Sequence, residues 1–363
     1  MMGLADGFSG SYAPVDVTFL LKPVTMAFTE VAEKERAIQS GVRHYSEMLA
    51  PERPPSQAYL AAFREAFALN RERVGRDVAR LARALALREG ENVVLVSLAR
   101  AGTPVGVLLR RALALLGRKA FHYSVSIIRD RGIDRVAMRA ILAVHPAAEV
   151  VFVDGWTGKG TIGNELARVV AHDLSALRDA PLCVLSDLAG VAALAAGDED
   201  YLIPSAILNG VVSGLVSRTV LNNALIGPGE FHGCVVLDHL ASMDLSRDYV
   251  DRQMVDVAAS LATAEPARWG KVERSRAARR SGAFLAKMLA RVGTEDRNRI
   301  KPGIGEATRA MLRRMPAMVL VRDPGALDIK HLMGLAAERG IETITDPELP
   351  YKACAVIQRL EET

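Results

Sequence analysis

In the stretch VVFVDGWTGKGTIG, Val150 to Gly163, four apolar residues end in Asp154, and a turn rich in glycine and threonine then opens into a helical pattern. Backbone N–H groups at a helix start, with the positive end of the helix dipole behind them, hold a compact anion. An aspartate suits the hydroxyl donors of a sugar diol. A nucleoside-triphosphate loop requires GxxxxGK[ST], and here Lys159 is followed by Gly160, so that template fails. Gly158, Gly160 and Gly163 do form a GxGxxG between a strand and a helix, with Asp187 closing the next strand. Against a dinucleotide stands Asp154 itself, whose charge repels a pyrophosphate unless a cation or hydroxyl intervenes. Two further stretches carry charge suited to an anion: SLARAGTP (97–104), with Arg100, and RDRGID (129–134), with Arg129 and Arg131. A bidentate guanidinium at Arg100 and close backbone approach at Gly102 would suit a diphosphate.

The elements that must position these loops read as an alternation. Ser56 predicts the N-cap of a long helix with Leu60, Phe63, Phe67, Val74, Val78, Leu81 and Leu85 at helical spacing, stopped by Gly90. ENVVLVS (91–97) reads as a buried strand. Thr103 and Pro104 predict the cap and first position of the next helix. FHYSVSII (121–128) alternates apolar residues with His122, Ser124 and Ser126, which predicts a strand with one drier face. EVVFVD, the helix after the turn and PLCVLSD continue the pattern. Strand, turn, helix and strand in repetition predict an α/β fold, a mostly parallel sheet with helices on both faces. Its ligands are expected at the carboxyl ends of the strands, where the loops 97–103, 129–134 and 154–161 converge. LIPSAILNGVVSGLVSRTVLN (202–222) reads as a tightly packed helix. Residues 268–301 hold eleven Lys or Arg against Glu273, Glu295 and Asp296. A β-α-β-β tail follows: AMVLVRD, ALDIKHLMGLAAERG, IETITD and ACAVIQRL. The chain divides on this reading into a main domain with its N-terminal extension (1–265), a basic helical connector (266–315) and a small C-terminal α/β domain (316–363).

A strand ending in an acid, then a Thr/Gly-rich turn and a helix, resembles the phosphoribosyl-diphosphate (PRPP) motif of type I phosphoribosyltransferases. The resemblance implies that Asp154 accepts ribose hydroxyls and touches Mg²⁺ indirectly, through ribose or water, while Thr157, Gly158, Lys159, Gly160 and Thr161 cradle the 5′-phosphate. SLARAGTP resembles the diphosphate loop of that family, so Arg100, Ala101 and Gly102 would contact the diphosphate. RDRGID sits where the family has a mobile loop, which makes Arg129 and Arg131 candidates, with Asp154, for catalysis. Gly155 stands where the family has a second acid, a departure that weakens ribose and metal contacts.

At wider range SGSY (9–12), EKERAIQSGVRHYSEML, HYSVSIIRDRGID, EDYLIPSAILN, VSGLVSRTVLN and KPGIGEATR are together similar to one family. It is the tellurite-resistance and stress-associated phosphoribosyltransferase-like family often labelled cysteine protease StiP, and its tail resembles the Pelota-type RNA-binding domain. The resemblance implies PRPP-dependent transfer to an unidentified acceptor, with Mg²⁺ and RNA (through 268–363) as partners; a homodimer is compatible with it. Two rivals remain: a non-catalytic phosphoribosyl sensor that binds RNA, and an NAD-dependent oxidoreductase. The protease label is not expected to hold, because Cys183, Cys234 and Cys354 lie in apolar strand-like runs, where a buried, inert thiol is expected even with His232 near Cys234. Three scattered cysteines and no run of about 18 apolar residues predict a soluble, cytoplasmic protein with no membrane partner.

Overall fold

The computed structural model describes residues 1–359 of 363. The main sheet is built from short apolar runs: β1 (Thr18–Leu20), β3 (Val93–Ala99), β4 (Ala120–Ile128), β6 (Val150–Val153), β8 (Leu182–Val184) and β10 (Leu194–Ala195), in the order β1-β4-β3-β6-β8-β10. Every pair in that order is parallel. Three smaller pairings border it. β2 (Lys22–Pro23) lies beside β11 (Gly233–Cys234), β5 (Gly132–Ile133) folds back antiparallel on β4, and β7 (Trp156–Thr157) runs parallel to β9 (Ser186–Asp187).

Helices cover both faces of the sheet, as the alternation predicts. α2 (Gln57–Ala86) begins where the Ser56 hydroxyl accepts the Tyr59 N–H at 3.2 Å, and its apolar stripe is buried from Leu60 to Leu85. Each such Leu or Phe removed from water stabilises the fold by roughly 1.5–3 kcal/mol. With α3 (Gly102–Leu115) and α6 (Ser246–Leu261), it packs on Val93, Leu95, Val151 and Val153. The opposite face, with Val94, Val96, Leu98 and Phe152, is covered by α4 (Arg135–Leu142) and α5 (Thr161–Asp173). The N-terminal extension is more ordered than its composition suggests, supplying the edge strand β1 and α1 (Val31–Gln39).

Four readings of the sequence are corrected here. FHYSVSII is an interior strand with no wet face: His122, Ser124 and Ser126 are buried and bonded to Ser97, Thr103 and His232. Thr103 therefore caps nothing, and α3 starts two residues earlier, after Ala101. RDRGID is a tight hairpin rather than an open loop, because Ile127 and Ile128 pair with Ile133 and Gly132, and Asp134 caps α4 through the Val136 and Ala137 N–H groups. Residues 202–222 form no α-helix. Pro204, Gly214 at φ +88° and the β-branched run leave only 3-10 turns and single bridges from Val216 to Val236 and Val220 to Gly233.

The C-terminal unit follows α7 (Lys271–Val292). Its mixed sheet has the order β12 (Ile300–Pro302), β15 (Ala353–Ile357), β13 (Pro316–Val321) and β14 (Glu342–Thr345), with only β13 and β14 parallel. The expected β-α-β-β tail is present, with α9 (Lys330–Glu338) as its helix; Leu360, the end of the last expected strand, lies outside the described residues. One sheet face packs on Phe284, Leu285 and Met288 of α7. The other packs on α8 (Ile304–Arg313) and α9, in a core continuous with that of the main domain. Asp200 of the main domain clasps the unit by accepting the Ile304 and Lys352 N–H groups at 2.9 and 2.8 Å.

Candidate functional site

β6 delivers Asp154 to the carboxyl edge of the sheet, and α8 of the C-terminal unit lies across that edge. The Asp154 carboxylate accepts the Gly155 N–H at 2.8 Å. Burial raises it to about 6, with Arg309 opposing and Glu306 adding to the rise. The Arg309 guanidinium in turn stacks 4.5 Å over the Trp156 ring, so Trp156 is a packing platform for a protein cation.

The turn itself is internally satisfied. Thr157 donates to Asp187 at 2.6 Å and accepts the Ala189 N–H at 3.0 Å. Asp187 also takes the N–H groups of Val191, Ala192 and the Trp269 indole, which makes it a structural hub rather than a ribose acceptor. The Glu306 carboxylate closes over the cradle, accepting the Lys159 N–H at 3.3 Å and lying where a Cβ on Gly158 would sit 2.2 Å away. The Lys159 ammonium donates to the Ile300 carbonyl at 2.6 Å. Gly160 takes φ +81°, a left-handed conformation that starts α5 at Thr161.

The other expected residues scatter. Arg100 is buried, donating to Glu52 and to the Val216 carbonyl, both at 2.5 Å. Ala101 caps α3, and Gly102 is needed because a Cβ there would sit 2.2 Å from the Val153 carbonyl. The Arg129 N–H donates to the Tyr45 hydroxyl at 2.8 Å, and its guanidinium pairs with Asp130 at 3.0 Å. Arg131 points outward, half exposed, 3.6 Å from Glu47.

A cavity of about 970 Å³ opens between the N-terminal extension, the main sheet and α8. Of the expected residues, Arg129, Lys159 and Thr161 line it; Arg100, Asp154, Thr157 and Arg131 do not. Sequence reasoning did not bring the other charged residues of its wall to this place, among them Lys34, Arg218, Lys301, Glu306, Arg309 and Arg313. The signal available was the pair Arg309 and Arg313, one helical turn apart on a helix of KPGIGEATRAMLRR. Burial, together with neighbouring cations, holds Lys34 down at about 8 and lowers Lys159. Burial likewise holds Arg218 and Arg309 at about 10 and pushes Lys301 and Arg313 well below their usual values.

The donor set does not fit a protein-held magnesium ion. Among the described residues no three His, Cys, Asp or Glu side chains gather, and the Asp154 carboxylate faces Arg309. The three thiols are free and fully buried, and burial pushes each up to about 12. The His232 ring is bonded to Ser126 at 2.8 Å rather than to Cys234. No described helix is long and apolar enough to cross a membrane.

A family model described as "Tellurite-like stress resistance cysteine protease StiP" matches residues 10–254, and one described as "PELOTA RNA binding domain" matches residues 279–359. The chain is 41% identical over 368 residues to a protein of Acinetobacter baylyi named "Cysteine protease StiP", covering 98% of this chain and 96% of that one. These matches overturn the phosphoribosyltransferase reading and its pentosyltransferase class, together with the phosphoribosyl-sensor and oxidoreductase rivals. The geometry runs the same way: Glu306 and Asp187 occupy the donors expected to cradle a phosphate, and Glu52 occupies Arg100. With both the length of the match and the second, C-terminal match accounted for, the chain belongs to the tellurite-like stress resistance StiP family and ends in a PELOTA RNA-binding domain.

Proposed function

We propose that this chain serves stress resistance by binding RNA along the outward face of α7 and the C-terminal sheet that α7 supports. The carrying observation is a row of cations on that helix. Lys271, Arg279 and Lys287 are exposed and form no ion pair within 4 Å among the described residues, although other arginines of α7 are tied down, Arg276 and Arg280 to Asp198 and Arg291 to Asp346. Unpaired exposed cations release counterions when they meet phosphates, and that release drives binding without reading sequence. Anisotropy with a short labelled RNA hairpin tests this. Replacing Lys271, Arg279 and Lys287 together by Gln is expected to weaken binding at least tenfold and to reduce the log–log salt slope by about two to three. Unchanged affinity and slope would reject this surface.

A thiol-dependent peptidase is the second reading, drawn from the name of the Acinetobacter relative. Cys234 is the thiol that favours it, since it lies two residues from His232. Its thiol is pushed up to about 12 by burial, so a thiolate at neutral pH requires this segment to open. Hydrolysis of an unfolded protein substrate that is lost in Cys234→Ala and kept in Cys183→Ala and Cys354→Ala would support it. Equal hydrolysis by all three variants would remove it.

A further inference from the structure

The cavity between the N-terminal extension and α8 holds a surplus of positive charge that the protein itself does not balance. Lys34, Lys159, Arg218, Lys301, Arg309 and Arg313 line it, and none of the six forms an ion pair within 4 Å among the described residues. Three of the nearby acids are otherwise engaged: Glu52 with Arg100, Glu35 with Arg314, and Glu306 with the Lys159 N–H. Arg218 has one terminal nitrogen buried with no partner. The carbonyls that Lys159 and Arg218 reach hold them in place but neutralise nothing. Like charges gathered in a recess repel, and a fold tolerates such repulsion most readily where a bound counter-charge relieves it.

We propose that this cavity is a binding site for a small molecule carrying two or more phosphate groups, held by Lys34, Lys159, Arg218, Lys301, Arg309 and Arg313. Three observations narrow the ligand class. About 970 Å³ is the size of a pocket that encloses a small molecule. Ten Lys and Arg residues line the cavity against the four acids Glu30, Glu52, Glu306 and Glu338, and that surplus calls for a ligand of several negative charges rather than one. Apolar residues, among them Val31, Ile38, Leu49 and Leu335, share the wall with these charges, which suits the uncharged part of a phosphate ester. The cations come from three parts of the chain: α1, the main domain and the C-terminal unit. A ligand here therefore bridges all three. None of the α7 residues proposed to meet RNA lines this cavity, so the two sites are separate.

Calorimetry and thermal unfolding with inorganic tripolyphosphate, at fixed ionic strength and with citrate as the carboxylate control, decide the matter. The full chain is expected to bind tripolyphosphate and to unfold at a higher temperature in its presence, with citrate weaker by at least tenfold. Lys301→Met and Arg313→Gln should each weaken tripolyphosphate about tenfold, the loss of one charge-assisted contact. Lys301→Met should also raise the unfolding temperature without ligand, a sign that separates lost binding from lost folding. RNA affinity should be unchanged in both variants. Tripolyphosphate binding that is absent, matched by citrate, indifferent to both substitutions, or displaced by the RNA hairpin would overturn the proposal.

Discussion

The turn from Asp154 to Thr161 and the wall of α8 facing it are both crowded with groups able to hold an anion, and they differ in what those groups already hold. In the turn, Thr157, the Lys159 N–H and the backbone beyond Asp187 all end on carboxylates of the protein itself. On the wall, Lys301 and Arg309 lie beside the same Glu306 and form no ion pair within 4 Å among the described residues. A strand, a glycine turn and a helix start are thus poor guides to a working site when a carboxylate from 147 residues downstream fills the cradle. Unbalanced charge is the better guide, because burying it costs stability that only a ligand recovers.

The comparison is broken most sharply by removing one charge that the protein pairs and one that it does not. Glu52 is nearly buried and balances Arg100, whose Nε is also buried without a partner. Glu52→Gln leaves Arg100 uncompensated and adds to the surplus in the cavity, and it is expected to cost about 3–5 kcal/mol in urea unfolding. Lys301→Met removes a cation that forms no ion pair among the described residues and is expected to improve stability. A destabilisation of similar size in both would show that Lys301 is as well compensated as Arg100.

The sequence made the main sheet legible and the cavity illegible for physical reasons. The strands carrying Val93–Ala99 and Val150–Val153 are buried on both faces, so their apolar runs announce themselves, and Ser56 marks its helix by a local bond. Asp154, Gly160 and Thr161 were correctly placed at a strand end and a helix start. What local pattern does not show is which distant group satisfies a donor. Nothing near Arg100 indicates Glu52, and nothing near Lys159 indicates Glu306 or Ile300. The same blindness made His122, Ser124 and Ser126 look like a wet face, because their partners lie on β3, on α3 and beside β11.

Acid titration sharpens the comparison at slightly smaller cost. Burial holds His122 and His331 down at about 4, and it raises Asp154 and Asp200 to about 6. A base with a lowered folded value contributes stability above about 6.5 that is lost as pH falls toward 4. An acid with a raised folded value does the opposite: its contribution is complete below about 3.8 and is lost as pH rises through 6. Each is worth about 3 kcal/mol across its window, so between pH 6 and 4 the four nearly cancel. His122→Asn should unmask the acids, making stability rise on acidification from pH 6 to 4. Asp154→Asn, at the edge of the cavity, should unmask the histidines and make it fall. Urea midpoints across that range supply the check, and identical slopes in both variants would count against these assignments.

The smallest expected effect separates the two threonines of the turn. Thr157 is buried, with its hydroxyl fixed between the Asp187 carboxylate and the Ala189 N–H. Thr157→Val keeps the shape, leaves the Ala189 N–H without its acceptor and takes one of four donors from Asp187, so a loss of about 1–3 kcal/mol is expected. Thr161 opens α5 four residues later, and its side chain borders the cavity with no protein hydrogen bond among the described residues. Thr161→Val should change stability by less than about 0.5 kcal/mol. Tripolyphosphate binding should show the reverse order, weakened by Thr161→Val and unaffected by Thr157→Val in protein that remains folded. Equal stability losses at the two positions would mean that the whole turn is structural, and that the boundary between satisfied donors and free ones lies beyond Thr161, on α8 alone.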